Sequence, residues 1–179
     1  MLRICSLMTP ISLIFLTLNL SFALFILFLT LAFITGAPFV RSNKKAADAM
    51  IRLAKIKPSM KVYDLGSGDA TLLFRAAALG AITVGSEINP FLVLWSLLKI
   101  LFSSNRKRIT VRWQNFWRAD LREADVVFVY LLPWRMKSLE NLLKKRCKMG
   151  TRIVSNSFIF PALRRVSEDP DAHVYVFEV

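Results

Sequence analysis

The sequence predicts an α/β fold: a doubly wound, Rossmann-like parallel sheet preceded by one N-terminal transmembrane helix. A 24-residue apolar run, Ile11 to Ile34, stands near the start of the chain. Short apolar strands then alternate with helical stretches along the remainder. The first of those strands gives way to the first helix through a glycine turn, Gly66-Ser67-Gly68.

No charged residue occurs between Arg3 and Arg41, and the apolar run is broken only by Ser, Thr and Asn19. As a helix it would extend about 36 Å, against a hydrocarbon core of roughly 30 Å. A cleaved secretory signal would carry an apolar stretch of only about 7–15 residues. The flanks set the orientation. Arg3 precedes the run, whereas Arg41, Lys44, Lys45, Arg52 and Lys55 follow it. The positive-inside rule then puts the folded domain on the cytoplasmic side, or the matrix side in a mitochondrion. The expected organisation is an anchor over residues 1–35, a linker and pre-core helix over 36–60, and a folded domain over 61–179.

Ser42 is the expected cap of a helix that Pro58 stops. Strands are expected at Lys61–Leu65, Ala81–Ile88, Ile109–Asn115, Asp125–Leu132 and Thr151–Phe158. Helices are expected at Thr71–Leu79, Pro90–Phe102 and Trp134–Lys148, the last with Met136, Leu139, Leu142 and Leu143 on one face. The helix opened by Pro90 has almost no polar residues beyond Ser96 and Lys99; burial is its default, with contact to the bilayer as the alternative. The tail suits a terminal hairpin around Glu168-Asp-Pro-Asp171. His173, expected in an edge strand there, reads as structural.

The net charge is +13, with basic clusters at Arg106-Lys107-Arg108, Lys144-Lys145-Arg146 and Arg164-Arg165. Beside an anchor, anionic lipid explains this more economically than nucleic acid. No tract of stacking aromatics is interleaved with the charges, so nucleic acid is not an expected partner. Cys5 and Cys147 form no metal-type pair, and with a single histidine neither a metal site nor a disulfide is expected.

The chemistry begins at Tyr63-Asp64-Leu65-Gly66-Ser67-Gly68-Asp69-Ala70. In such folds the ligand sits beyond the carboxyl ends of the strands, and glycines let it approach the backbone. A dinucleotide is disfavoured because the third glycine of its fingerprint falls on Thr71. Asp64 would also repel a pyrophosphate. S-adenosylmethionine carries an ammonium and a sulfonium and no phosphate, so a carboxylate there attracts it. Glu87 ends the second strand, 21 residues after Gly66, close to the offset at which an acid meets ribose hydroxyls. Asp64, Gly66, Ser67, Gly68, Asp69, Glu87 and Asn89 are therefore the candidate cofactor-binding residues.

Asp64-Leu-Gly-Ser-Gly-Asp69, Glu87-Ile-Asn-Pro90 and Gly36-Ala-Pro-Phe-Val40 beside a hydrophobic anchor resemble one group. It is the small membrane-anchored class I protein-lysine methyltransferases related to the mitochondrial enzymes that modify ATP synthase c-subunit and adenine nucleotide translocase. The resemblance implies a class I methyltransferase sheet, S-adenosylmethionine as cofactor and lysine on a membrane protein as substrate. It also implies that Asn115 and Phe116, after the third strand, meet the adenine. The family usually has an acid at Asn115, Gly-Arg at Ala70-Thr71, and Val-Pro-Thr/Ser-Pro where this chain has Val40-Arg41-Ser42-Asn43.

Methyl transfer to an amine is an in-line displacement, so positioning supplies most of the rate. Tyr130, Leu131, Leu132 and Pro133, at the expected end of the fourth strand, are the candidates for the substrate port, with Tyr130 and Pro133 foremost. Other functions compatible with the sequence are methylation of RNA or of a small molecule, and a non-catalytic membrane assembly factor that keeps the fold.

Overall fold

The computed structural model describes residues 10–35 and 43–179. The chain divides into two units, Met1–Pro38 and Phe39–Val179.

The described residues of the first unit form a helix, α1, Pro10–Thr35. It is long and apolar enough to cross a membrane, by length and composition. Its polar side chains bond back onto its own carbonyls. Thr17 Oγ1 donates to the Ile14 carbonyl at 2.8 Å, Asn19 Nδ2 to Phe15 at 2.7 Å and Thr30 Oγ1 to Ile26 at 2.9 Å. Self-satisfied polar groups of this kind are what an apolar surrounding demands.

The second unit opens with α2, Lys44–Ala54, whose cap is Asn43: its Oδ1 accepts from Ala46 N at 2.7 Å. Ser42, the expected cap, lies outside the described residues, as does Gly36–Val40. The helix ends before Pro58, because Lys55 takes the left-handed conformation, φ 52°, and closes it. Then follow β1 (Lys61–Leu65), α3 (Thr71–Ala78), β2 (Ile82–Glu87), α4 (Pro90–Leu101), β3 (Ile109–Trp113), β4 (Val126–Val129), α5 (Met136–Arg146), β5 (Arg152–Asn156), β6 (Arg164–Asp169) and β7 (Val174–Glu178).

The seven strands form one sheet in the order β3-β2-β1-β4-β5-β7-β6. The first five are parallel, but β7 runs antiparallel to β5, and β6 to β7. The sheet is therefore mixed rather than parallel throughout. The reason is local. A tight turn, Pro170–Ala172, joins β6 to β7, and so short a link allows only antiparallel pairing. His173 is a turn residue there, exposed and left-handed at φ 52°. It does not lie in an edge strand; β6 is the edge. Its carbonyl accepts from Ser157 N at 2.7 Å.

From β1 the chain steps one way to β2 and β3 and the other way to β4 and β5. Right-handed crossovers then put α3 and α4 on one face and α5 on the other. Met50 of α2 and Leu72 of α3 pack with Val62, Val126, Phe128 and Val154. Each such buried side chain contributes about 1.5–3 kcal/mol relative to exposure. A second cluster joins Leu73 and Ala77 of α3 to Val93 of α4 and to Ile109 and Val111 of β3. The reversal of direction between β1 and β4 opens a crevice at their carboxyl ends, where a ligand enters such folds.

Candidate active site

The loop after β1 is pinned from below. Gly66 N and Ser67 N both donate to the Ser86 carbonyl, at 2.8 and 3.1 Å. Gly66 (φ 90°) and Gly68 (φ 54°) supply the left-handed conformations that the bend needs. At Gly66 a Cβ would meet nothing within 4 Å, so the backbone borders open space.

Gly85, in the middle of β2, holds this bend, and the sequence reading does not single it out. A Cβ there would lie 2.5 Å from Ser67 Oγ and 2.6 Å from Leu73 Cδ1. The only available signal is a glycine interrupting an apolar strand. Gly85→Ala is expected to cost about 1–3 kcal/mol through overpacking, and to weaken cofactor binding as Ser67 is pushed aside. Thermal melts with and without cofactor measure both effects.

Ala70 is left-handed at φ 63° although it carries a Cβ, and it is fully buried. That conformation costs a non-glycine residue roughly 1–2 kcal/mol. Ala70→Gly should therefore leave stability within about 1 kcal/mol of the parent. Ala76→Gly, in the middle of α3, should cost more, since glycine in a helix interior costs about 1 kcal/mol. Parallel denaturant unfolding of the two variants checks this.

Glu87 is buried, and its carboxylate is saturated on one side. Oε1 accepts from Ile88 N at 2.9 Å and Asn89 N at 2.8 Å, while Oε2 accepts from Gly68 N at 2.8 Å. Oε2 keeps one acceptor direction, so this acid fastens the bend and presents a single oxygen to a ligand rather than two. Asp64, 6% exposed, accepts none of these bonds. Burial pushes its carboxyl up to about 7, with the charges of Glu87 and Asp69 adding to the shift. Asp69 turns toward α3 and accepts from Thr71 N at 3.2 Å and Thr71 Oγ1 at 2.7 Å.

Asn89 Oδ1 caps α4 through Phe91 N at 3.0 Å. Asn115 Oδ1 accepts from Trp117 N at 3.0 Å, leaving one acceptor direction and both amide protons. Phe116 is buried, with its ring 4.9 Å from that of Trp117. Gln114 ties this segment to the end of β2, its Nε2 donating to Ser86 Oγ at 2.7 Å.

β4 stops at Val129, short of the expected Leu132, because a 3₁₀ turn begins at Pro133. Tyr130 is half-buried just past the strand end, its ring stacked 6.3 Å from that of Phe158 beyond β5. Pro133 is exposed, Leu132 half-buried and Leu131 buried.

Helix α4 inverts the expected burial. Among its residues only Val93 and Ser96 are buried, while Phe91, Leu94, Trp95 and Leu101 are each more than half exposed. The polar pair faces inward. Ser96 Oγ donates to the Gly68 carbonyl at 3.2 Å, and Lys99 Nζ to the Asp69 carbonyl at 2.6 Å. The glycine bend leaves carbonyls that need donors, and α4 supplies them.

Two buried carboxylates, Asp64 and Glu87, thus flank a bend whose Ser67 hydroxyl has no hydrogen-bond partner. Lys99 is engaged at Asp69, so among the described residues no side-chain cation neutralises Asp64. A buried carboxyl pair with no cation beside it favours a positive ligand. A pyrophosphate would be repelled, and an adenosyl sulfonium with its ammonium fits.

Residues 64–167 match the family model of the ANTKMT methyltransferase domain. The chain belongs to this family. A protein-lysine N-methyltransferase of Saccharolobus islandicus is 32% identical over 130 residues, covering 72% of this chain and 81% of the relative. The mouse adenine nucleotide translocase lysine N-methyltransferase is 28% identical over 131 residues, 73% of this chain but only 57% of that protein. Among solved structures, an RNA methyltransferase from Salinibacter ruber bound to S-adenosyl-L-homocysteine shares 32% identity and a TM-score of 0.72. It covers 78% of this chain and 93% of its own. This member of the ANTKMT family is an S-adenosylmethionine-dependent methyltransferase with a class I Rossmann-like sheet. S-adenosylmethionine, when bound, would supply an electrophilic methyl on a sulfonium.

Proposed function

We propose that this ANTKMT-family methyltransferase N-methylates lysine on a membrane-associated protein. The observation that carries the cofactor half is the Asp64–Glu87 pair around the glycine bend. In this reading Asp64, Gly66, Ser67, Gly68, Asp69, Glu87, Asn89, Asn115 and Phe116 form the cofactor cleft. The substrate half rests on the relatives named as protein-lysine methyltransferases, and on a helix of spanning length in the same chain. We read α1 as a single-pass anchor, with the methyltransferase domain on the cytoplasmic or matrix side as the basic flank directs.

The target amine must arrive neutral and in line, which a dry opening favours by lowering its pKa. Tyr130 and Phe158 give that opening an aromatic wall, and Pro133 forms its rim. An aromatic face also holds a lysine ammonium before its proton is lost.

The second reading, methylation of RNA, is favoured by the likeness to the Salinibacter ruber RNA methyltransferase and by the +13 charge. Transfer of labelled methyl into separated membrane-protein, RNA and lipid fractions decides between them. Label on lysine in the protein fraction is the expected result. Label confined to RNA would overturn the substrate assignment and leave the cofactor site intact.

A further inference from the structure

We propose that the outer face of α4 is a docking surface for an anionic lipid bilayer. Phe91, Leu94, Trp95, Leu98, Leu101 and Phe102 recur at spacings of three and four, and all six are between 45% and 85% exposed. They form one continuous stripe along α4 and its C-terminal cap. A soluble surface rarely shows so much contiguous apolar area unless something covers it. The inner side of the helix is committed to the glycine bend through Ser96 and Lys99. The stripe cannot be buried by rolling the helix without breaking those bonds.

The charge beside the stripe identifies what covers it. Arg106, Lys107 and Arg108 follow the helix and are all exposed. The other basic clusters are largely occupied within the fold. Lys144 pairs with Glu140, Lys148 with Asp125, Arg164 with Glu178 and Arg165 with Glu168. Arg146 bonds the carbonyls of Trp117 and Ala119. Arg108 spends one nitrogen on the Gly80 carbonyl, while Arg106 and Lys107 make no side-chain bond among the described residues. An aromatic and aliphatic stripe bordered by free cations matches the boundary between acyl chains and anionic headgroups. Trp113, 69% exposed, with its indole N–H on the Ile88 carbonyl near the start of α4, adds a residue type suited to that depth. A second copy is the poorer occupant, because two chains of +13 charge repel each other.

The test uses the full chain, reconstituted into vesicles of phosphatidylcholine with phosphatidylglycerol. An environment-sensitive fluorophore is placed at Leu98→Cys or, separately, at Ser138→Cys on the exposed side of α5. Both are made in a background of Cys5→Ser and Cys147→Ser, because Cys147 is a free, half-buried thiol. Bromine on the acyl chains should quench the fluorophore at 98 severalfold and leave the one at 138 unaffected. Quenching should fall in pure phosphatidylcholine, and again with Arg106→Gln and Lys107→Gln together. A label at 98 that bromolipid does not reach overturns the proposal, whether water or another protein surface surrounds it. So does quenching indifferent to lipid charge. If Leu98→Cys melts early, Leu94→Cys carries the same measurement. Fluorophore depth is read independently of what the enzyme methylates, so the substrate assignment and this surface stand or fall separately.

Discussion

Glu87→Ala is expected to abolish measurable cofactor binding, with a loss of at least about a hundredfold, or ~3 kcal/mol. The loss exceeds that of one ligand contact because three backbone donors, at Gly68, Ile88 and Asn89, lose their acceptor together. Unpaired N–H groups at the foot of the cleft would release the bend that Ser67 and Gly68 form. Glu87→Gln is the sharper probe. An amide has one acceptor oxygen, so its NH₂ must face either Gly68 N–H or the Ile88 and Asn89 pair. It should lose about tenfold or more in affinity despite its matching shape, roughly 1.4 kcal/mol. Calorimetric titration with S-adenosylmethionine and melting without it separate lost binding from lost folding. Full affinity in Glu87→Gln would remove the acid from the site.

Asp64→Asn should show opposite effects on stability and binding. The folded carboxyl titrates near 7, whereas an unfolded one titrates near 3.8. Below about pH 4 both states hold the proton. Between there and about 7 the unfolded chain releases it while the folded chain keeps it, so stability falls as pH rises and levels off above 7. The asparagine variant escapes that fall and should be more stable than the parent at pH 8, by at least about 1 kcal/mol. Binding goes the other way. A cation near this carboxylate gains about 4 kcal/mol at 4 Å with an effective dielectric constant near 20. Cofactor affinity in the parent should therefore drop about tenfold per pH unit below 7. In Asp64→Asn it should be weak and nearly independent of pH at this position. Titrations at several pH values, paired with melts, test both signs.

These effects trace back to what a linear sequence carries. Asp64-Leu-Gly-Ser-Gly-Asp69 and Glu87 were legible because a strand-to-helix turn that meets a ligand needs glycines and charge at fixed offsets. The alternation of elements was legible too, to within one or two residues at most element ends, the end of β4 excepted. The orientation of α4 was not. Its composition asks for burial, and nothing in Ser96 or Lys99 announces that carbonyls of a distant bend await them. Gly85 was hidden for a similar reason, since its need is set by Ser67 on a neighbouring element. The backbone donors that Glu87 serves, at Gly68, Ile88 and Asn89, were not legible, because they carry no residue label. The early end of β4 was not legible, because the sequence carries no local stop signal before Pro133.

The tie between Ser96 and the Gly68 carbonyl splits one cylinder into two independent inheritances. Residues turned inward answer to the adenosyl pocket, where a lost hydroxyl loosens the loop that holds it. Those turned outward answer only to whatever medium lies beyond the domain. Mutation can thus retune how greasy this enzyme is, or which compartment it suits, without disturbing its appetite for the methyl donor.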